Sequence, residues 1–384
     1  MSFQRFAERD EDTAITIMAT PLQYETPEAV VRASAAIFFG KHGGKLAENF
    51  DITSHRYDPS AFMKNLCLLH RTVIPSVMAS PLFWILLGFA ILFQTVFHFL
   101  LTTDLQNNLP RFNDNTMLGT SSFVVFFSVF YANRAYIRYF EQYKYARLLI
   151  TSVHNLTHAS MGLMSQRQDY VQHICRYAHA MHFLGYITLM RENVETEMEV
   201  TKATQGCLDH LYHLRILTQA EVYELKQIRD ITAHRRVSVW MLWLLNKAQK
   251  EGLLAPPVFS NLMGLALRLQ SDLMQLESFS LEPIPFAYYH FLNLLMSLYG
   301  PLLSWEMMFR MKGGATYGVF LAVPMYIVIL LVLLGLRNLA AHMSDPFGID
   351  EVDFPIHLFV TSPYLEHREH LGYHSQPPGW EGTS

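Results

Sequence analysis

The stretch from Thr116 to Glu141, TMLGTSSFVVFFSVFYANRAYIRYFE, decides how the rest of the chain is read. From Met117 to Tyr131 it is apolar and aromatic apart from Gly119 and a few hydroxyls, and then Asn133, Arg134, Arg138 and Glu141 follow in the same helical pattern. No proline or glycine interrupts the pattern after Gly119. A helix rising about 1.5 Å per residue and continuing to about Ile150 is far longer than the roughly 30 Å hydrocarbon core of a bilayer. Its first half is therefore expected in a membrane and its second half in water. Ser122, Phe126 and Phe130 recur every four residues and fall along one face. By spacing alone, such a stripe is ordinarily packed on a neighbouring helix or on lipid.

The 384 residues carry a net charge of −4, and their charged residues are crowded into some regions and nearly absent from others. With a slightly positive mean hydropathy, this is the composition of a membrane protein with a soluble part attached. The charge balance argues against a nucleic-acid binder, which needs clustered Lys and Arg to neutralise phosphates. Cys67, Cys175 and Cys207 are too widely separated for a disulfide framework or a CxxC metal site and read as buried thiols. Glu8, Asp10, Glu11 and Asp12 stand where a secretory signal would be basic and then apolar, so no signal peptide is expected.

Working outward, residues 1–60 read as a polar arm with a short helix from Pro27 to Phe39, opened by Thr26 as N-cap and Pro27 in the first turn. A first membrane segment runs from about Val73 to Leu101, and a polar link leads to the helix described above. Residues 142–281 are soluble and helical, with apolar residues at three- and four-residue spacing and a capping box at Thr218–Glu221. A second membrane hairpin occupies 282–340, with spans at Pro285–Trp305 and Tyr317–Leu336 around a Lys312-Gly313-Gly314 turn. An acidic post-membrane turn covers 341–363, and a polar tail, extended or disordered, covers 364–384. Lys64 and Arg71 before the first span, and Arg134, Arg138, Lys144 and Arg147 after the second, place both outer ends of the hairpin on one side. The fold class is thus all-α: a polytopic membrane protein with four transmembrane helices, both termini on the cytoplasmic or stromal side, and a helical cytoplasmic domain. The sequence leaves open which membrane holds it.

Histidines are concentrated in the soluble region, with His154/His158 at i, i+4 and His179/His182 at i, i+3. The HExxH pattern is absent, so ordinary hydrogen-bonded histidines outweigh a metal site on spacing. Asp350, Glu351 and Asp353 follow a Pro346/Gly348 turn and read either as a solvated acidic turn or as hard oxygen ligands for calcium.

Three motifs, in order, resemble the bestrophin family of anion channels, and more closely its bacterial and plant branch than its animal one. They are Phe130-x-x-Asn133-x-x-Tyr136-x-Arg138-Tyr139-x-Glu141, Pro283-Ile284-Pro285-Phe286-Ala287-Tyr288, and Asp345-Pro346-Phe347-Gly348 with Asp350 and Asp353. Tyr131 departs from the pattern, standing where that branch commonly has arginine, and Ile349 and Val352 thin the acidic run. The resemblance implies a homopentamer in membrane lipid whose second helices, within residues 61–141, line a pore for chloride, bicarbonate or other small anions, without catalysis. It implies a neck at Ser122, Phe126 and Phe130. It also implies a calcium ion held by the Asp350 and Asp353 carboxylates with the backbone carbonyls of His342 and Asp345. Other readings of the sequence are a membrane-anchored, histidine-rich metal or redox protein and a non-conducting scaffold of the same fold.

Overall fold

The computed structural model describes residues 26–39, 60–61, 63, 65, 67, 72–190, 197–228, 233–282, 284–310, 315–347 and 353–371. Among these the regular elements are helices, and no strand is present. The long central helix α5 (Asp114–Leu163) is preceded by α1 (Pro27–Phe39), α2 (Ile74–Ala79), α3 (Pro81–Thr95) and α4 (Thr103–Asn108). After it come α6 (Gln168–Leu189), α7 (Glu197–His213), α8 (Gln219–Leu225), α9 (Ala233–Lys250) and α10 (Pro256–Leu281). Then follow α11 (Phe286–Arg310), α12 (Ala315–Ser344) and α13 (Ile356–Leu371).

Helix α5 has 50 residues, which makes it about 75 Å long. Val124, Ser128, Tyr131, Ala135, Gln142, Ala146, Leu149, Val153, Leu156 and Ser160 are buried, at steps of three, four or seven that keep them on one stripe. The upper part of this stripe joins an apolar cluster with α2, α3, α11 and α12. The lower part joins a second cluster with α1, α6 to α10 and α13. Among the described residues, α5 is the one helix that supplies buried side chains to both clusters. The changeover falls between Ala135 and Ala146, where the sequence turns from apolar to charged.

Among the described residues, three helices are long and apolar enough to cross a membrane: Pro81–Leu100, Asn115–Leu163 and Phe320–Ser344. The fourth expected span, α11, is 25 residues long and shares their cluster through Leu292, Met296 and Tyr299. It also carries His290, Asn293 and Glu306, which dilute its apolar character. The first span is not straight. Ser80 takes an extended conformation before Pro81 and separates α2 from α3, and a π-type turn at Val96–Leu100 ends α3.

In the soluble half the capping box is present: Thr218 Oγ1 accepts from the Glu221 N–H at 3.3 Å, and Glu221 Oε2 accepts from the Thr218 N–H at 2.7 Å. Glu221 also accepts from the fully buried Arg176 at 2.6 Å and from Tyr177 at 2.7 Å. Burial pushes the Glu221 pKa up, but Arg176, the Thr218 N–H and Tyr177 outweigh it and hold the carboxyl below its ordinary range. At α1, Thr26 Oγ1 accepts from the Ala29 N–H at 3.3 Å, as the Thr-Pro start requires.

Several sequence expectations are corrected. The helix expected at residues 27–39 forms, and it packs onto the soluble core through the buried Val30, Ala35 and Phe38, which a polar arm did not suggest. Helix α5 runs past Ile150 to Leu163, since its buried stripe continues through Leu156 and Ser160. The tail assigned to 364–384 is helical through Leu371, with Tyr364 and His367 buried; an amphipathic period outweighs the polar composition there. Helices α12 and α13 likewise narrow the post-membrane turn from 341–363 to the residues between Ser344 and Ile356. Cys175 and Cys207 are buried as expected, but Cys67 is exposed. Lys64, Arg71 and the Lys312-Gly313-Gly314 turn lie outside the described residues or side chains.

Close packing of the membrane half is sharpest at Gly300. A Cβ there would come within 2.7 Å of Leu86 Cδ2 and 3.2 Å of the Tyr326 hydroxyl oxygen, and that hydroxyl donates to the Gly300 carbonyl at 2.9 Å. Gly88, by contrast, faces open space. Gly300→Val is expected to cost about 1–3 kcal/mol by overpacking, while Gly88→Ala leaves stability nearly unchanged. Thermal unfolding in mild detergent reads both, and a Gly300→Val melting temperature equal to the parent's contradicts the packing.

Candidate functional site

On the side of α5 opposite its buried stripe, Ser122, Phe126, Phe130, Asn133, Ile137, Phe140 and Lys144 are all exposed in the single chain. They fall within about 80° of helical arc. Phe126 is 62% exposed and Phe130 45%, so both keep a large part of their surface outside the packing of their own subunit. Their rings stack on each other, with centroids 6.2 Å apart and planes at 18°. Ser122 Oγ donates to the Leu118 carbonyl at 2.8 Å, which leaves its oxygen turned outward as an acceptor.

The phenyl pair is backed by rings from α11. Phe127 lies against Phe291 at 5.4 Å and Tyr288 at 6.2 Å, and Phe130 lies against Tyr288 at 5.8 Å. The Tyr288 hydroxyl donates to the Phe127 carbonyl at 3.0 Å. This gives the proline-rich motif a role that spacing did not show: Pro285 opens α11 by accepting from the Tyr288 N–H at 3.0 Å, and Tyr288 then fixes the height of the aromatic stripe. Phe286 itself is 74% exposed and stacks on His290. Pro283 lies outside the described residues.

A helix start at Thr120–Ser122, which would offer free N–H groups to an anion, is not what forms. Asn113 caps α5 by accepting from the Asn115 N–H at 3.1 Å, and the hydroxyls of Thr120, Ser121 and Ser122 donate to the carbonyls of Thr116, Met117 and Leu118. The first free amides therefore sit about two turns above Ser122.

Arg138 has the most specific geometry of the motif residues. Its Nε donates to the Ser344 carbonyl at 3.1 Å and its Nη2 to the Ser280 carbonyl at 2.9 Å. These carbonyls lie at the C-terminal ends of α12 and α10, where backbone oxygens lack helical partners and the helix dipoles are negative. One guanidinium thus ties three helices together at the junction of the membrane and soluble halves. Tyr136 packs on Phe140 at 4.6 Å, and Asn133 and Glu141 face outward.

Below Arg138 the chain turns. The Phe354 N–H donates to the Pro346 carbonyl at 2.9 Å, closing the loop, and the buried Phe347 meets Phe354 at 5.5 Å. Asp353 is buried at its foot and Asp345 is half-buried. The His342 ring pairs through Nε2 with Ser76 Oγ at 3.2 Å. Asp350 lies outside the described residues.

The histidines divide. His173 contacts Arg176 and His210 contacts Ser34. His154 and His158, however, meet His367 and His370 of α13. Burial, reinforced by His179 and His154, pushes the His367 pKa down to about 2, and burial likewise takes His179 to about 3. Sequence spacing found the α5 pair but not its α13 partner, because that segment reads as a tail.

The Arg138 junction has a graded test. Arg138→Met leaves two carbonyls without their charged donor and is expected to cost about 1–3 kcal/mol; Arg138→Lys, which cannot span both oxygens, should fall between. Thermal unfolding of the three proteins in detergent checks the order, and equal melting temperatures contradict it.

The fold compares closely with solved membrane proteins. One is a single-substitution variant of a bacterial bestrophin homologue from Klebsiella pneumoniae, with 16% identity, a TM-score of 0.62, and coverage of 75% of this chain and 98% of that one. A second variant of that homologue gives 15% identity, a TM-score of 0.63, and coverage of 76% and 98%. A structure described only as a membrane protein gives 16%, 0.63, and coverage of 77% and 100%. Comparison with curated proteins finds no match. The sequence profile described as Bacterial/Fungal Bestrophin protein matches residues 51–366, and with the helical fold and the ordered motifs it establishes that this chain belongs to the bestrophin family.

Proposed function

We propose that the protein is an anion-selective channel passing small anions such as chloride and bicarbonate, and that it performs no catalysis. In this reading it is a homopentamer in which the exposed face of α5 lines the pore and Ser122, Phe126 and Phe130 form the neck. The observation that carries the reading is a contrast between exposed faces. The large exposed side chains of α3 and α12 are apolar: Trp84, Ile85, Phe89 and Leu92 on one, Phe320, Leu321, Met325, Val328 and Val332 on the other. Such faces suit lipid. The α5 face instead mixes Ser122 and Asn133 with its phenyls, which lipid disfavours.

Five copies of Phe126 and Phe130 around an axis make an apolar constriction that gates by dewetting. Ring edges carry partial positive charge, so the constriction can face an anion without a fixed base. Family membership supports the channel class in general. The choice of ions, the pore lining and the stoichiometry are the proposal. The Asp345–Asp353 turn, with Asp350 and the His342 carbonyl, is proposed to take calcium, a hard cation suited to carboxylates and carbonyls. The buried Asp353 supports this reading; the ion would brace the junction below Arg138.

Purified protein in a planar bilayer under a chloride gradient, with calcium added and then chelated, tests the function. The reversal potential is expected to follow chloride, and current is expected to fall on chelation. A cation-following potential overturns the channel reading, silence at every calcium level favours a non-conducting scaffold, and indifference to chelation removes the calcium site alone. Replacing the neck by Phe126→Ala with Phe130→Ala should raise conductance or open probability several-fold; a folded double variant that conducts like the parent places the stripe elsewhere.

A further inference from the structure

Where the lower end of α5 meets α13, two rows of histidine face each other. His154 and His158 are one turn apart on α5, and His367 and His370 are three residues apart on α13. His154 Nδ1 is 3.0 Å from His367 Nε2, and the ring centroids of His158 lie 5.0 Å from His367 and 5.7 Å from His370. Glu366 adds a carboxylate, with Oε2 4.0 Å from His154 Nε2 and Oε1 3.8 Å from His370 Nε2. The ligand atoms of His154, His158 and His367 all lie within 4.8 Å of one another.

We propose that His154, His158 and His367 bind a divalent transition-metal ion of the zinc type, with Glu366 beside His154 Nε2 as a carboxylate that can orient that ring. Zinc takes imidazole nitrogens at about 2.0–2.1 Å in tetrahedral array, which sets neighbouring nitrogens roughly 3.3 Å apart. The His154–His367 spacing is already near that value, and His158 is exposed and free to close the remainder by side-chain rotation. Imidazole ligands suit zinc, copper and nickel and disfavour magnesium or calcium. This site is therefore chemically distinct from the acidic turn.

The surroundings of His367 supply the support that a ligating histidine needs. Its Nδ1 lies 2.9 Å from Nε2 of His179, which is itself buried. With the proton on Nδ1 and donated to His179, the tautomer is fixed and the Nε2 lone pair faces His154 and His158. Thr157 Oγ1, 2.9 Å from the same Nε2, already has a carbonyl acceptor in Val153 at 2.8 Å and can release the ring. Two helices far apart in sequence thus converge on one ligand set, which i, i+4 spacing on a single helix does not require. The ion would pin α13 to the helix that carries the exposed stripe.

The test uses the full chain in detergent with no histidine tag. Titration with Co2+, followed by visible absorption, is expected to give one ion per chain with the intense bands of a tetrahedral site, displaced by Zn2+. X-ray absorption of the zinc-loaded protein should show nitrogen and oxygen neighbours at about 2.0 Å and no sulfur. His158→Gln, at an exposed position, should weaken Zn2+ binding at least tenfold without changing the metal-free melting temperature, whereas His213→Gln leaves affinity unchanged. No stoichiometric binding to the parent, sulfur neighbours in the absorption spectrum, or equal affinity in the His158→Gln protein each overturns the assignment.

Discussion

The unbroken backbone hydrogen bonding of α5 constrains everything packed around it. Inside a bilayer every peptide group must be satisfied within its own segment, and a helix of 50 residues does so without a break where the environment changes from lipid to water. The price of that continuity is borne by the side chains, which must change character along one rigid rod. On the buried side they pass from Val124 and Tyr131 to Leu149 and Val153, facing two separate apolar clusters. On the exposed side they pass from phenyl rings to Asn133 and Lys144.

Such a rod needs its two packed halves registered against each other, and Arg138 provides this. The ends of α10 and α12 leave carbonyls that neither the membrane cluster nor the soluble cluster covers. A flexible ammonium would reach one of them. The planar guanidinium reaches Ser280 and Ser344 together. Arg337 makes a comparable join in the membrane half, donating to the Tyr289 hydroxyl at 2.8 Å and to Asn338 Oδ1 at 3.0 Å.

Much of this was legible in the sequence because it depends on local chemistry. Thr26 and Thr218 announce helix starts through hydroxyls that accept from amides a few residues on. Periodicity placed the aromatic stripe of α5. What composition hid was α13: Pro363 interrupts its helical pattern and its charged, histidine-rich end reads as solvated, yet Phe359, Val360, Tyr364 and His367 recur at helical spacing and are buried. The partners of Arg138 could not be read at all, since backbone carbonyls at helix ends leave no mark in residue identity. The same holds for the rings of Tyr288 and Phe291, whose approach to Phe127 is set by how α11 crosses α5.

The charge pattern of the α5 stripe also bears on ion choice. Between Met117 and Ala132 the helix has no Asp, Glu, Lys, Arg or His, so a neck built from it would hold no fixed charge of either sign. A cation there would lose water with no carboxylate or carbonyl to replace it, because the helical carbonyls are already engaged. An anion would meet ring edges of positive potential. Below the neck, Asn133 and Lys144 lie on the stripe, with Arg134 and Glu141 exposed on the same stretch of helix. Selectivity in the proposed pore then arises mostly from what the neck withholds from cations, with the basic residues beneath raising the local concentration of anions rather than binding them tightly.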